Sequence, residues 1–404
     1  MTSTHPVIEF LATNSLKDLE SHGVYSRESN VNPGVFSINY DQLEAVDQDP
    51  LCCASRGLVV RQMSGAPKEA GLYTVLSFPL PRFFNWGQGA AVDIDWVNCD
   101  FETKMDGTLL IVSYYEGRRY AITADGETIE TGSWNIATRS VPDANIATDD
   151  GRTFADKFWQ ATALADNTWV GDMLELEDGL HTLLFEYTSH DNHIGVVYDE
   201  SKLTLLARFE TQTGIETTPS REVCEANGYR RPPLYHFDSP EAAKAFCDSQ
   251  PGHLFEGVVA VDRVTRNRVK IKNLQYLALA KVLTRAGSNT GLMTLILGGT
   301  IDDVKPYLPK PTVDKVEKME WALRAWIGQM DGMVDRLRAE VDPASPNPRK
   351  DAAMIIKGEP TMMSWVGILL DIWTGRRAGF ASFLKEEKTP SELEKVTETI
   401  LSRI

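Results

Sequence analysis

The sequence predicts an α+β protein in two parts: antiparallel β-sheet structure over residues 1–275, then an all-α domain over residues 276–404. Three observations predict this. In the first part, short apolar runs rich in β-branched residues alternate with turn residues. After Leu274 the apolar positions change to three- and four-residue steps, the period of a helix. Near the end, Thr389-Pro390-Ser391-Glu392 reads as a helix start, with threonine as cap, proline at the first helical position and glutamate returning a bond to the cap.

Taken in order, Leu109 to Tyr115 is apolar and β-branched, Glu116-Gly117 supplies a turn, and Arg119 to Thr123 returns as the second arm of a hairpin. Thr182 to Tyr187, Ile194 to Tyr198 and Leu203 to Phe209 predict further strands. Gly257 to Lys272 predicts a second hairpin, turning near Thr265-Arg266-Asn267. The two-residue period of a strand puts Lys270 and Lys272 on one face of it. Farther on, Val316, Met319, Leu323, Trp326, Met330, Val334, Leu337 and Val341 predict one long amphipathic helix, with Thr312 as its N-cap. Pro343 to Pro348 predicts a loop, and Leu393, Val396, Ile400 and Ile404 the buried stripe of the last helix.

With 42% apolar and 24% charged residues the chain has the composition of a folded protein rather than of a disordered or membrane-spanning one. No apolar run approaches ~18 residues and MTSTHPVIEF lacks the basic start of a signal peptide, so a cytoplasmic location without membrane contact is expected. The five cysteines show no CxxC spacing, which argues for reduced thiols and against structural zinc. His190 and His193 in SHDNH have no partner motif and read as surface histidines. The net charge of -16 disfavours indiscriminate nucleic-acid binding, because phosphate contact needs local cations. One stretch supplies them: between Val261 and Arg285 there are seven basic residues and one acid, Asp262.

The chemistry is carried by an ordered set of short motifs. Thr103-Lys104-Met105-Asp106-Gly107 precedes a strand, and a four-residue KxDG pattern alone is weak. Before it come Ser55-Arg56-Gly57 and Pro81-Arg82-Phe83-Phe84-Asn85-Trp86. After it come Leu184-Phe185-Glu186-Tyr187, Phe255-Glu256-Gly257-Val258-Val259 and Arg268-Val269-Lys270-Ile271-Lys272. A lysine nucleophile must shed its proton near neutral pH, and neighbouring cations favour that loss. Lys270 and Lys272, on one strand face, are placed to do this and to meet charge developing on a phosphoryl group.

This set resembles the covalent nucleotidyltransferases, and within them the RNA ligase 1 family of tailed phages. The resemblance covers nearly the whole chain, including FSINY, IGVVYDESKLTLLARFETQTG and LILGGTIDDVK. It implies a nucleotidyltransferase fold of ATP-grasp-like antiparallel sheets. It also implies an ATP-dependent RNA ligase that joins 5′-phosphate and 3′-hydroxyl ends through lysyl-AMP and RNA-adenylate intermediates, with Mg²⁺ (or Mn²⁺) as the metal. The implied partner is single-stranded or nicked RNA, cleaved tRNA being one candidate, and a monomer is expected. Helices rather than an OB-fold barrel after the VKIK motif favour an RNA ligase over a capping enzyme or DNA ligase. A non-catalytic RNA-binding or phage-assembly protein on the same fold is the alternative.

By the same resemblance Lys104 is the nucleophile, with Lys270 and Lys272 as catalytic cations that also hold the nucleotide. Arg56, Arg82, Thr103, Asp106 and Gly107 belong to the nucleotide site. Glu186 contacts the ribose, and Glu256 places the metal or the reacting phosphate. Phe84 either flanks the nucleotide or belongs to the core, and Asp302 either binds metal or caps a helix. Two positions depart from the family. Arg82 stands where a lysine is usual, and Asp125 falls where a second lysine is expected, so no role is carried onto Asp125.

Overall fold

The computed structural model describes residues 5–41, 44–63, 72–114, 120–122, 128–130, 134–148, 150–176, 179–192 and 195–404. The chain divides into two compact units, Met1–Ala278 and Leu279–Ile404.

In the first unit, strands β1 (Val24–Glu28), β2 (Val35–Tyr40), β3 (Leu58–Gln62) and β4 (Tyr73–Ser77) pair in that order. Strands β5 (Cys99–Thr103) and β6 (Thr108–Tyr114) are separated only by residues 104–107, yet they enter different sheets. Strands β7 (Tyr120–Ile122) and β8 (Thr128–Glu130) form a two-stranded ribbon. Strands β9 (Trp134–Ala137), β10 (His181–Thr188) and β11 (Lys202–Glu210) join β6 in the order β11–β10–β6–β9. Strands β12 (Leu234–Tyr235), β13 (Gly257–Asp262) and β14 (Arg268–Lys272) join β5 in the order β12–β5–β13–β14. The pairings are antiparallel throughout.

Alternation along β10 positions one functional side chain. Leu183, Phe185 and Tyr187 pack with Phe158 and Val170 of the helices Phe154–Thr162 and Thr168–Leu176. Leu184 faces the other way, into a core with Val35, Val59 and Ile111. Glu186, two residues on, shares that second face. Along β14, Val269 and Ile271 are buried while Arg268, Lys270 and Lys272 line the opposite, half-buried face, as the alternation predicts.

Several expectations are corrected. The sheet partners of β6 are β10 and β9, not the predicted return arm, in which Tyr120–Ile122 forms β7 and pairs with β8. The turn at Glu116-Gly117 and Asp125 lie outside the described residues. No strand forms over residues 195–198, because the amides of Gly195 and Val196 bond to the Asp106 carboxylate and that of Val197 to the His253 carbonyl. Ile194 and His193 are outside the described residues.

The second unit is helical around one core. Its long helix runs Lys310–Glu340 and starts before Thr312, with Pro309 at the N-cap and Pro311 in the first turn, where proline leaves no bond unmade. Thr389 and Glu392 make the predicted capping box on helix Pro390–Leu401, although Ile404 is exposed. Trp326 is fully buried, edge-on to Trp365 at 5.5 Å and Phe380 at 5.1 Å between ring centroids. Trp326→Ala is expected to destabilise this unit by about 3–5 kcal/mol, as for large aromatic deletions in cores. Urea unfolding followed by circular dichroism checks it, and a loss below about 1 kcal/mol would show that the packing is not cooperative.

Candidate active site

The motif at Lys104 is the crossing from one sheet to another. Thr103 ends β5 and Thr108 begins β6, so residues 104–107 carry the chain between the two sheets. The Lys104 amide donates to the Gly257 carbonyl at 2.8 Å, which holds the crossing against β13. Gly107 must be glycine, because a Cβ there would lie 2.2 Å from the Tyr187 carbonyl oxygen. Its amide donates to Glu186 Oε1 at 3.0 Å. Gly257 has φ 145°, and a Cβ there would meet the Ile271 carbonyl oxygen at 2.2 Å.

Glu256 is 2% exposed and carries the site's central ion pairs. Its Oε2 accepts from Lys104 Nζ at 2.7 Å and its Oε1 pairs with Lys272 Nζ at 2.9 Å. Lys270 Nζ donates to the Phe83 carbonyl at 2.7 Å and lies 4.4 Å from the centroid of that ring. Burial, then the charges of Arg56, Lys104 and Lys272, lower the Lys270 pKa to about 7. Glu186 moves the other way. Burial raises its pKa to about 7, against the attraction of Lys104, the Gly107 amide and Arg56.

These side chains converge on a cavity of about 200 Å³ lined by Arg56, Phe83, Thr103, Lys104, Glu186, Lys270 and Lys272. A cleft of about 520 Å³ shares Arg56, Lys104, Glu186 and Lys272 and adds Asp106, Gly107, Arg139, Glu256 and Tyr276. Arg56 faces the Phe83 ring at 5.8 Å, and its Nη1 is buried with no hydrogen-bond partner among the described residues. Burial and then the Arg139 charge lower its pKa. An anion in this space would satisfy that guanidinium. The Thr103 hydroxyl, also buried and unpartnered, lines the same cavity.

Other expected residues sit differently. The Asp106 carboxylate accepts from the amides of Gly195 and Val196, both at 2.8 Å, and from the Tyr276 hydroxyl at 3.0 Å. It therefore anchors the crossing to the 195–196 loop. Phe84 is buried, and it is Phe83 that reaches the Lys104 cavity. The segment lies beside β14, with the Lys270 amide donating to the Phe84 carbonyl, so successive side chains point opposite ways. Arg82 and Phe84 line an adjoining cavity of about 540 Å³, which Phe83 also borders. There Arg82 donates to Asp47 at 2.7 Å and stacks on Tyr40 and Phe84. Asp302 belongs to the second unit, where its side chain is 79% exposed and paired with Lys305 at 2.8 Å. Among the described residues no three His, Cys, Asp or Glu side chains gather as a metal site. All five cysteines are free, and no described helix is long and apolar enough to cross a membrane.

Three residues join the site that motif reading missed. Phe83 was hidden by its neighbour and would have followed from pairing its segment with β14. Tyr276 touches Asp106 and places its ring 5.7 Å from Lys272 Nζ. Arg139 follows β9, the true return strand beside β6, and lies over Tyr40 at 4.6 Å with its Nε on Asn39. It supplies a cation next to Arg56.

No protein-family model matches the chain. Among curated proteins it is similar to a protein of Autographa californica nuclear polyhedrosis virus described as "Putative bifunctional polynucleotide kinase/RNA ligase", with 27% identity over 328 residues. The match covers 76% of this chain and 43% of the relative, so the chain spans less than half of that protein's length. The relative is baculoviral rather than from a tailed phage. Among solved structures, Naegleria gruberi RNA ligase with pyrophosphate is similar at TM-score 0.31 and 14% identity, covering 45% of this chain and 51% of that one. A variant of the same ligase with ATP and Mn gives TM-score 0.30 at 14% identity, with the same coverage. At such scores the likeness decides neither fold nor function.

The two shifted groups predict a pH signature. A carboxyl whose pKa rises from 4.5 to about 7 on folding holds its proton longer in the folded state, so Glu186 makes stability fall as pH rises between those values. Lys270, lowered from 10.5 to about 7, makes stability rise from about pH 7 upward. Glu186→Gln should remove the fall below neutral pH and keep the rise above it, as read by urea unfolding across pH. An unchanged acid limb would mean that Glu186 is charged in the folded protein.

Proposed function

We propose that this chain is an ATP-dependent RNA ligase that works through a lysyl-AMP intermediate on Lys104. The observation that carries this reading is the convergence of Lys104, Lys270, Lys272, Glu186 and the unpartnered Arg56 guanidinium on one cavity at the junction of two sheets. The name of the baculoviral relative supports it.

On this reading the α-phosphate of ATP sits against Lys104, with Lys270, Lys272 and Arg56 around the phosphate chain. The Lys104 Nζ lone pair attacks phosphorus, a P–N bond forms, and the P–O bond to pyrophosphate breaks. Glu256, at 2.7 Å from Nζ, accepts the lysine proton. Lys270 and Arg56 meet the charge that pyrophosphate carries away. The 5′-phosphate of an RNA end then attacks the same phosphorus, the P–N bond breaks and Lys104 regains a proton. Last, a 3′-hydroxyl attacks the RNA 5′-phosphorus and AMP leaves. Arg139, beside Arg56 in the larger cleft, is the cation we assign to the incoming 5′-phosphate.

Two carboxylates near a phosphate position suit Mg²⁺ or Mn²⁺, which such sites hold through one or two carboxylates plus phosphate oxygens. Glu256 and Glu186 are those carboxylates here, and the metal would neutralise charge on the phosphoryl oxygens. Asp302 is left out, because it is paired with Lys305. Glu186 keeps its assignment to the ribose, Thr103 and Phe83 line the nucleoside side, and cleaved tRNA remains one candidate substrate.

Incubation with α-labelled ATP and Mg²⁺ tests the reading. Wild-type protein should carry AMP on Lys104 by mass spectrometry, and neither Lys104→Ala nor Lys104→Arg should be labelled, arginine being permanently protonated. Lys270→Ala and Lys272→Ala should each slow labelling on the order of a hundredfold, the usual effect of removing one transition-state donor. Adduct on another lysine would overturn the mechanism, and no labelled protein at all would favour a non-catalytic binding module.

A further inference from the structure

Trp321 stands 70% exposed in the middle of the long helix Lys310–Glu340, five residues before the fully buried Trp326. Lys318 and Arg324 lie three residues before and after it, which places them on opposite flanks of the indole on the helix surface. Both are exposed, and neither has an ion pair or hydrogen bond among the described residues. Some other cations of this unit are held by acids: Lys305 pairs with Asp302 and Glu320, Arg336 with Glu340 and Glu359, and Arg349 with Asp371. Glu317, four residues before Trp321, is one acid against those two cations, while the neighbouring Glu320 is bonded to Lys305. Toward the C-terminal side the same face continues through Gly328 and Gly332, and nothing lies within 4 Å of a Cβ added at either. The surface around the indole is therefore open, and the two cations that flank it are unpaired, although Asp314, Asp331 and Asp335 lie farther along the same helix.

We propose that this face of the helical unit binds a single RNA strand, with one base stacked on Trp321 and adjoining phosphates on Lys318 and Arg324. An indole offers any base a stacking surface without reading its identity, and flanking cations supply the phosphate contacts that such stacking requires. On a chain of net charge -16, a nucleic acid is held best where cations are free of acidic partners, and Lys318 and Arg324 have that property. A second copy of the chain fits it less well. Two copies meeting on the same patch would bring Lys318 and Arg324 against their own equivalents and desolvate them unpaired. The choice of RNA as the polyanion rests on the ligase reading above.

The test uses the full chain and a fluorescein-labelled oligoadenylate of about 12 nucleotides, within the ~4–16 nucleotide span of single-strand sites. Anisotropy titrations should show Trp321→Ala binding about tenfold or more weakly, and Trp321→Phe within about threefold of wild type, since a phenyl ring still stacks. Lys318→Ala combined with Arg324→Ala should weaken binding and flatten its salt dependence. AMP transfer to Lys104 should be unchanged in all of these variants. Equal affinity of wild type and Trp321→Ala would overturn the proposal. So would a fall in oligomeric size for Trp321→Ala with RNA binding intact, because the face would then join copies. If Lys104 never takes AMP while Trp321→Ala still loses RNA, the ligase reading fails and this surface stands. If AMP transfer is normal and RNA binding ignores Trp321, the surface fails and the ligase reading stands.

Discussion

A buried carboxylate organises the first unit's chemistry. Glu256 is almost wholly removed from water, and an isolated charge there would be strongly unfavourable. It is stable because Lys104 and Lys272 each bring a cation to one of its oxygens. That requirement fixes much else. Lys104 must sit at the crossing between β5 and β6, close enough to β13 for its amide to reach the Gly257 carbonyl. Lys272 must end β14 in register with Gly257 across the pair. Gly257 must itself lack a side chain, since the adjacent strand occupies the space. Removing either lysine leaves the carboxylate with one partner, and removing Glu256 leaves two cations facing Lys270 and Arg56. The arrangement is thus mutually dependent, which is how buried ion networks behave.

The crossing is tied at a second point by Asp106. Its carboxylate takes two amides and a tyrosine hydroxyl, and its own amide donates to the Tyr198 hydroxyl at 3.0 Å. These four bonds fix the turn between the sheets, and with it the direction in which Lys104 leaves the backbone. The apolar side of the same strands supports the geometry. Leu184 and Ile111 pack against Val35 and Val59, so the face that carries Glu186 is pressed between two sheets before it opens at the cavity.

What could be read from the sequence is what local pattern encodes. The alternation of Arg268-Val269-Lys270-Ile271-Lys272 gave the face of both lysines, and the Thr389 to Glu392 spacing gave a helix start. The order of the short motifs gathered Lys104, Glu186, Glu256, Lys270 and Lys272, and the structure brings their side chains to one place. What could not be read depends on partners distant in the chain. Strand pairing across the β7–β8 ribbon decides that Arg139, not a residue of the predicted return arm, stands beside Arg56. The choice between Phe83 and Phe84 turns on which side of β14 the segment lies. The basic stretch after Val261 also misleads when read alone. Arg263 pairs with Asp100, while Arg266 and Arg268 both pair with Glu216, so these guanidiniums are held by acids from elsewhere in the first unit.

The same pairing explains how an acidic chain can present a cavity lined by cations. Charge there is set by desolvation as much as by composition. Lys270 is pushed toward neutrality by burial and by three neighbouring cations, and Glu186 is pushed toward neutrality by burial. Near pH 7 both groups are poised between their two forms, which limits the repulsion stored in the ligand-free site. An incoming triphosphate changes the balance. Negative charge beside Lys270 favours its protonated form, so on the proposed reading nucleotide binding draws a proton onto Lys270 near neutral pH. Proton uptake on binding would therefore be a property of the cavity itself. It follows from burying one lysine among Arg56, Lys104 and Lys272, and it needs no movement of the fold.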